Sequence, residues 1–547
     1  MRKRVAGRLA AAVAAAILAA CSDVSGPEPR MEAPAGPAGS KAPGSSTYFS
    51  LASCAGDCRA ALQAAVNTYE VVTMSADSFP LEGTVTLPSR TRIVGAGAGS
   101  TRIAQLAAAG GNPGGSVADR RNVFIASGDA SEPVRDIHIE GIRFYGAGIF
   151  EQAALRVEKG DSIVFQNNDA RAIGLVQTGS YFDANANPGA MAAQHRTSRV
   201  HVKDNTGRGT GNTGGLWAIE LGYVNGAVVT GNQVAQYRIG IQWWGGEADA
   251  LKGNYTASRW VQNVRIDGNR VDTTESGIWG TNGDYVRASG NTVRDCLDVC
   301  LDAEGSNDVA FTGNWVYNAG EGALAVFFNS SNIRFAWNEV HQDGRYAQAV
   351  TGVKRWDVLF KWQGAYGSAA GKSVYIHNNW LYYDGPAGTG VGQAWKEQTE
   401  YFQFVNNTLK NTVVIANPLD GGHLEITGNT MTFDRTIDAP HRAAIEAGST
   451  HTSAGVTYNV HVSGNDISST VSQSATGIFA RQYYGGGAIE TYMNGNVVRN
   501  FPRSIHIFND LFAHRYWVTN NQTTGTVTTQ QTNSVWPVVT YSGNTTI

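Results

Sequence analysis

The sequence VRIDGNRV at residues 264–271 returns in altered form as VRASGNTV at 286–293, VAFTGNWV at 309–316 and IRFAWNEV at 333–340. Each copy has an apolar-x-apolar triplet, two further residues, an Asn, one variable residue and an apolar residue. Alternation over the triplet is typical of a strand that points every second side chain inward. The Asn suits a bend because it tolerates the left-handed backbone region. These segments therefore predict repeated short strands, each followed by a bend that contains an Asn.

The same pattern extends over most of the chain. Its Asn residues stand at positions 168, 205, 232, 269, 291, 314, 338, 379, 407, 429, 465, 496, 521 and 544. Their spacing varies from 22 to 41 residues, as expected for a solenoid whose strands keep their length while some turns carry loop insertions. We expect each Asn amide to hydrogen-bond the Asn of the next coil, which forms a ladder inside the stack.

This pattern resembles the right-handed parallel β-helix of the pectin-lyase-like superfamily over about residues 130–547. The resemblance implies an all-β solenoid of about 14 coils, which at about 4.8 Å per coil makes a rod of roughly 60 Å. The amphipathic segment 57–66 predicts a short N-terminal capping helix, since an open stack needs its ends covered. We therefore expect one β-helix domain over 47–547, with the cap and entry coils at 47–130 and the repeat coils at 131–547.

Composition excludes a nucleic-acid partner. The 547 residues include 65 glycines and only 16% charged side chains, with a net charge of −3. No run of like charges is present, so a surface that neutralises phosphates has no basis in the sequence.

The first 46 residues predict export. Residues 1–20 combine four basic residues with an Ala-rich apolar stretch, as in a signal peptide. The end of that stretch, Leu18-Ala19-Ala20-Cys21, resembles the lipobox of bacterial lipoproteins, which implies lipidation of Cys21 and a membrane anchor. Residues 21–46 form a Pro-, Gly- and Ser-rich tether. We expect a bacterial cell-envelope protein on the periplasmic or outer-membrane surface; the alternative is a soluble secreted protein.

Four further cysteines form two C-x3-C pairs, Cys54 with Cys58 and Cys296 with Cys300. Export permits disulfides in both pairs. A metal site is the alternative, which the absence of His or further Cys at ligand spacing disfavours.

Function on a β-helix lies on outward residues and inserted loops. The inward positions of the strand that follows the Asn are Ile219, Ile241, Ile278, Leu301 and Leu324. This register predicts one outward column, with Glu304 on the same face; the column consists of Glu220, Gln242, Trp279, Asp302 and Ala325.

Asp302 and Glu304 are the candidate catalytic pair, with Asp298 as a third carboxylate. Outward residues at i and i+2 have Cα atoms about 6.6 Å apart. Two carboxyls about 6.5–9.5 Å apart suit an inverting glycosidase, in which one protonates the leaving oxygen and the other activates water.

Other carboxylates accumulate nearby. Asp298 and Glu321 each fall seven residues after their Asn and should stack between coils. A Ca²⁺ ion is the alternative use of these groups, because oxygen ligands on adjacent turns suit that cation. Its candidate ligands are Asp284, Asp295, Asp298, Asp302 and Glu304. We otherwise expect no cofactor, and solvated turn residues are the third interpretation.

Aromatic and basic residues complete the predicted groove. Trp243, Trp244 and Trp279 predict a platform on which sugar rings stack. The insertion after Asn338 carries Lys354, Arg355, Lys361 and Trp362. The predicted substrate-binding residues are Glu220, Gln242, Trp243, Trp244, Trp279, Arg238, Glu321 and Lys361.

Three functions fit these observations. The first is an extracytoplasmic glycoside hydrolase that acts on a polysaccharide through Asp302, Glu304 and Asp298. The second is a polysaccharide lyase in which Lys361, Arg355 or Arg238 removes the C5 proton of a uronate. The third is a surface β-helix that binds carbohydrate or serves a structural role without turnover. The Asn-Thr-Asp, Asp-Asp and Gly-His-Gly motifs of polygalacturonase-like sequences are absent in the expected arrangement, so the resemblance implies a substrate class and no residue roles.

Overall fold

The computed structural model describes residues 48–547 apart from short gaps at 55, 106–121, 130, 150–151, 180–194, 247–259, 329, 347–348, 351–352, 355–357, 363–372, 387–388, 439–440, 450–456, 483–487, 510–513 and 532–536. The predicted signal peptide, Cys21, the tether and Arg355 lie outside the described residues. Among the described residues, strands stack in parallel, coil upon coil, into three long sheets. The chain is a right-handed parallel β-helix.

The three sheets follow one another around each coil, and the predicted site lies on sheet I. Its strands are Val85–Thr86, Phe124–Ser127, Ala153–Glu158, Gly174–Thr178, Trp217–Gly222, Ile239–Trp244, Ser276–Thr281, Val299–Glu304, Gly322–Phe327, Val358–Trp362, Gly392–Val405, Thr412–Thr427, Ala443–Ser449, Thr476–Gln482, Arg503–Asn509 and Thr526–Gln531.

Sheet II follows sheet I in each coil and shares its two longest strands, Gly392–Val405 and Thr412–Thr427. Its other strands are Tyr48–Leu51, Val71–Met74, Thr91–Gly95, Val134–Glu140, Gly160–Gln166, Thr197–Lys203, Val224–Thr230, Val261–Asp267, Gly283–Ser289, Asn307–Thr312, Ser331–Ala336, Ser373–His377, Thr457–Ser463, Ala488–Asn494, Arg515–Thr519 and Val538–Ser542.

Sheet III contains shorter strands, and from Asp169–Arg171 onward each of them follows a ladder Asn. They are Ser78–Leu81, Arg102–Gln105, Arg143–Tyr145, Asp169–Arg171, Thr206–Arg208, Gln233–Ala235, Arg270–Asp272, Thr292–Cys296, Trp315–Ala319, Glu339–Gln342, Trp380–Tyr383, Thr408–Lys410, Thr430–Phe433, Asp466–Ser469, Val497–Arg499, Gln522–Thr523 and Thr545–Thr546. Ala349–Val350 and Val353–Lys354 form a separate antiparallel pair.

The Asn ladder is confirmed. The Asn314 Nδ2 donates to Asn338 Oδ1 at 2.9 Å and to the Ala288 carbonyl at 3.0 Å. Its own Oδ1 accepts from the backbone N–H and the Nδ2 of Asn291, both at 2.9 Å. The same pattern repeats from coil to coil up to Asn544. Buried amides are thereby satisfied along the whole stack.

The predicted capping helix is present as α1, Arg59–Thr68. Its Leu62, Ala65 and Val66 are buried and join the core of the stack, because they lie on one helical face. The predicted Cys54–Cys58 disulfide closes the turn that leads into α1. In the described part of the chain, no helix has both the length and the apolar character that a membrane span requires.

Candidate active site on the outer face of sheet I

The predicted outward column is confirmed by the strand register. Glu220 pairs with Gln242, Gln242 with Trp279, Trp279 with Asp302 and Asp302 with Ala325. The column continues to Gln177 on the N-terminal side and to Lys361 on the C-terminal side. The five inward partners that set this register are fully buried in the core. The sequence pattern therefore placed these side chains on the correct face.

Trp243 is a correction to the predicted sugar platform. Its side chain is fully buried in the main core, with its ring 6.3 Å from Phe311. It pairs in register with Gly280, and a Cβ atom there would collide with the Trp243 ring and backbone. Alternation turns Trp243 inward after Gln242, and Gly280 leaves room for the indole. It belongs to the core and offers no surface to a ligand.

Trp244 and Trp279 do lie outside the main core. Their rings meet edge to face at 6.4 Å within a second apolar cluster. The other buried members of this cluster are Trp217, Tyr223 and Ile239. Trp279 is only 8% exposed, so its ring packs within the cluster and does not offer an open face on which a sugar ring could stack.

Trp217 joins this layer because the strands bend. A Cβ added to Gly240 or Gly277 would meet the core side chains Val271 or Val293. A side chain at either glycine would therefore point inward, although the next residue along the strand also points inward. The residue before each glycine points outward. Strict alternation from Ile219 predicts that Trp217 points inward. The small residues at the bend in neighbouring coils, such as Gly240 and Gly277, are the signal in the sequence that indicates its outward direction.

Asp302 and Glu304 lie two residues apart on one strand, and the charge of each group acts on the other. Asp302 is 1% exposed, and both of its carboxyl oxygens are buried without a hydrogen-bond donor. Burial, then the neighbouring Glu304 and Asp298 charges, raise the pKa of Asp302. Burial and Asp298 also raise the pKa of the half-buried Glu304. The carboxyl separation of an inverting pair stays a prediction for these two groups.

Asp298 lies in an acidic row at the corner before these strands. Backbone hydrogen bonds of 2.9 Å and 2.8 Å align Glu275, Asp298 and Glu321 in successive coils. Arg238 pairs with Glu275 at 2.8 Å, and Lys361 pairs with Glu321 at 3.1 Å. Burial, with Glu321 next in order, raises the pKa of Asp298 to about 7.

Glu275 was missed by the sequence analysis. It stands six residues after Asn269, whereas Asp298 and Glu321 stand seven after theirs. The corners after Asn291 and Asn314 each contain one more residue than the corner after Asn269. A count of seven residues from the ladder Asn therefore misses Glu275 by one position. The predicted Cys296–Cys300 disulfide spans this corner, with both cysteines buried in the core, and encloses Asp298.

The predicted five-residue Ca²⁺ site is not assembled. Asp284 lies beyond the next corner and accepts a hydrogen bond from Asn307 at 2.9 Å. Asp295 accepts one from Asn318 and forms an ion pair with Arg345. Within the described residues, no group of three or more His, Cys, Asp or Glu side chains could hold a metal ion. The carboxylates are therefore divided between two separate hydrogen-bonded positions and the Asp302–Glu304 site.

The basic residues of the predicted groove have a limited role in the described structure. Lys361 lies in the outward column, with 14% of its side chain exposed. The side chains of Lys354, Arg355 and Trp362 lie outside the described residues.

The fold and the site define a right-handed parallel β-helix with an acid pair on one sheet. The family model described as "Right handed beta helix region" matches residues 193–379. None of the curated proteins matches the chain in sequence.

Three solved structures that are similar to the chain have low sequence identity to it. The bacteriophage phi29 gene product 12 N-terminal fragment is 11% identical over 90% of this chain and 91% of that one, with a TM-score of 0.43. The catalytic unit of a GH87 alpha-1,3-glucanase from Streptomyces thermodiastaticus is 14% identical over 92% and 69%, with a TM-score of 0.30. PfbA, a surface adhesin of Streptococcus pneumoniae, is 10% identical over 80% and 87%, with a TM-score of 0.33. Similarity at this level concerns the fold alone.

Proposed function

We propose that the protein is a glycoside hydrolase that cleaves a polysaccharide at the outer face of sheet I. The observation that carries this proposal is the pair of neighbouring carboxyls Asp302 and Glu304 on the outer face of sheet I, with Asp302 almost fully buried and Asp298 beside them. Raised pKa values in neighbouring carboxyls are what general acid catalysis near neutral pH requires.

The buried Asp302 is the better proton donor of the pair, because its surroundings disfavour the charged form most strongly. It would transfer its proton to the glycosidic oxygen as the bond to the anomeric carbon breaks. Glu304 would then accept a proton from the water that attacks this carbon. Asp298 favours the protonated state of the pair through its charge.

The lyase alternative receives less support. A lyase base must present an unoccupied nitrogen to the C5 proton. Lys361 and Arg238 are both paired with acidic residues of the row. The lyase hypothesis therefore depends on residues of the insertion after Asn338, such as Arg355.

The proposed substrate agrees with the proposed location. Residues 1–46 predict export and a lipid anchor at Cys21, which would hold the catalytic rod at the cell surface where polysaccharides are met.

A screen with two isosteric variants tests the proposal. Dextran, laminarin, inulin, xylan, polygalacturonate and alginate would each be incubated with the protein, and reducing ends and ultraviolet absorbance would be measured. We expect reducing ends without the absorbance of an unsaturated uronide. Asp302→Asn and Glu304→Gln should each lower turnover by about 10²- to 10⁴-fold with the fold intact.

Matched variants on exposed positions, Asp204→Asn and Glu132→Gln, should retain wild-type turnover. Unsaturated products would indicate a lyase. Binding without turnover would indicate the third function, a non-catalytic surface β-helix.

A further inference from the structure

Three consecutive members of the outward column are buried with unsatisfied polar atoms. Gln242 is fully buried, and neither its Oε1 nor its Nε2 has a partner. Trp279 Nε1 and both oxygens of Asp302 are likewise unpaired. A buried polar group without a hydrogen bond is destabilising. A row of such groups in adjacent coils is therefore expected where a ligand supplies the missing partners.

The spacing of the row suits a chain of sugar residues. Neighbouring coils are about 4.8 Å apart, which is close to the length of one residue in an extended glycan. Gln242 offers a donor and an acceptor, and Trp279 offers an N–H donor. Sugar hydroxyls both donate and accept, so each side chain of the row could bind one residue of a glycan that runs along the rod.

The charges around the row indicate what kind of glycan it accepts. Arg156 donates to Glu158 at 2.8 Å and to Gln177 at 3.2 Å. Arg238 and Lys361 are paired with the acidic row, as described above. The described cations beside the row are thus neutralised, and a further carboxylate beside Asp298, Asp302 and Glu304 would meet the same repulsion that raises the pKa values of these groups. A uronate carboxylate would be repelled and would find no cation in this part of the structure.

In the described column, the buried side chains with unpaired polar atoms lie on the N-terminal side of the acid pair. In the next coil toward the C-terminus, Ala325 and Phe327 pair with Asp302 and Glu304 and form an apolar cluster with Val299. Sugar hydroxyls find no partner among these side chains. The unpaired Gln177 Nε2 continues the row on the N-terminal side.

We infer that the site binds an uncharged glycan along the rod axis, over Gln242 and Trp279 on the N-terminal side of the acid pair. This inference rests on the proposed function and adds the substrate class and the direction of the bound chain.

The substitution Gln242→Leu tests the inference because it preserves size while removing both amide atoms. Affinity electrophoresis of the full chain would use gels that contain dextran, laminarin, inulin, xylan, polygalacturonate, alginate or chitosan. At least one uncharged glycan should retard the wild-type protein, and the uronate glycans and chitosan should not. Gln242→Leu should weaken that retardation at least tenfold and should raise the melting temperature of the unliganded protein. The matched control Gln233→Leu, on an exposed position of sheet III, should leave retardation unchanged.

Stronger retardation by polygalacturonate, alginate or chitosan would overturn the inference. So would an unchanged affinity in Gln242→Leu, or a fall in its melting temperature, because the amide would then be a structural group. Two further outcomes distinguish a failure of this inference from a failure of the proposed function. Cleavage of polygalacturonate that Asp302→Asn abolishes would refute the uncharged substrate and keep the acid pair, whereas binding of an uncharged glycan without turnover would refute only the hydrolase.

Discussion

Truncation of one ladder amide, Asn314→Ala, should destabilise the rod by about 2–4 kcal/mol. The backbone N–H of Asn291 loses the Asn314 Oδ1 and remains buried, which costs about 1–3 kcal/mol. The Ala288 carbonyl loses one donor. Two groups keep a second partner: Asn291 Nδ2 retains the Ile266 carbonyl, and Asn338 Oδ1 retains the Asn314 N–H. These weaker losses add about 1 kcal/mol.

Urea denaturation followed by far-ultraviolet circular dichroism would measure this change in the free energy of unfolding. The matched control is Asn67→Ala, an exposed position on α1, which should change the free energy of unfolding by less than about 0.5 kcal/mol. If Asn314→Ala proves as stable as this control, the ladder does not hold the coils together and the reasoning is refuted.

Other predictions concern the pH response, the core, the cation and the anchor. Because the pKa of Asp298 is raised from 3.8 to about 7, its contribution to stability is complete below about pH 4 and is lost as the pH rises through 7, by up to about 4 kcal/mol. Asp298→Asn should therefore flatten the decline of melting temperature between pH 5 and pH 8, and an unchanged slope would contradict the assignment. Gly280→Ala should destabilise the protein strongly in urea denaturation, since its Cβ would strike Trp243; a neutral effect would mean that Trp243 is not packed there. Addition of CaCl₂ or EDTA should leave the melting temperature unchanged, because the described carboxylates do not form a cation site; a rise with Ca²⁺ that Asp302→Asn removes would restore the Ca²⁺ hypothesis. Cys21→Ser should move the protein from the membrane fraction to the soluble fraction, and retention in the membrane would refute lipid anchoring.

Much of the architecture could be predicted because it depends on local periodicity. The alternation around each ladder Asn determines which side chains face inward, and Ile278 and Leu301 lie where that alternation places them. The same count placed Asp302 on the outer face. Because the register repeats in every coil, the direction of a side chain in one strand predicts the direction at the paired position in the next strand.

The remaining features depend on events that periodicity does not describe. The direction of Trp217 depends on a bend at the next residue, and the position of Glu275 depends on one extra residue in a neighbouring corner. The raised pKa values of Asp302 and Glu304 depend on burial and on the absence of donors around the Asp302 carboxyl. Such effects arise from packing between coils, which a single repeat does not reveal.

A crystal structure of the Asp302→Asn variant with a neutral oligosaccharide bound would test the central claim most directly. The account predicts sugar residues along the outer face of sheet I, with hydroxyls bonded to Gln242 and Trp279 and a glycosidic oxygen within hydrogen-bond distance of the residue at position 302. An oligosaccharide bound on sheet II or sheet III, away from Asp302 and Glu304, would contradict it.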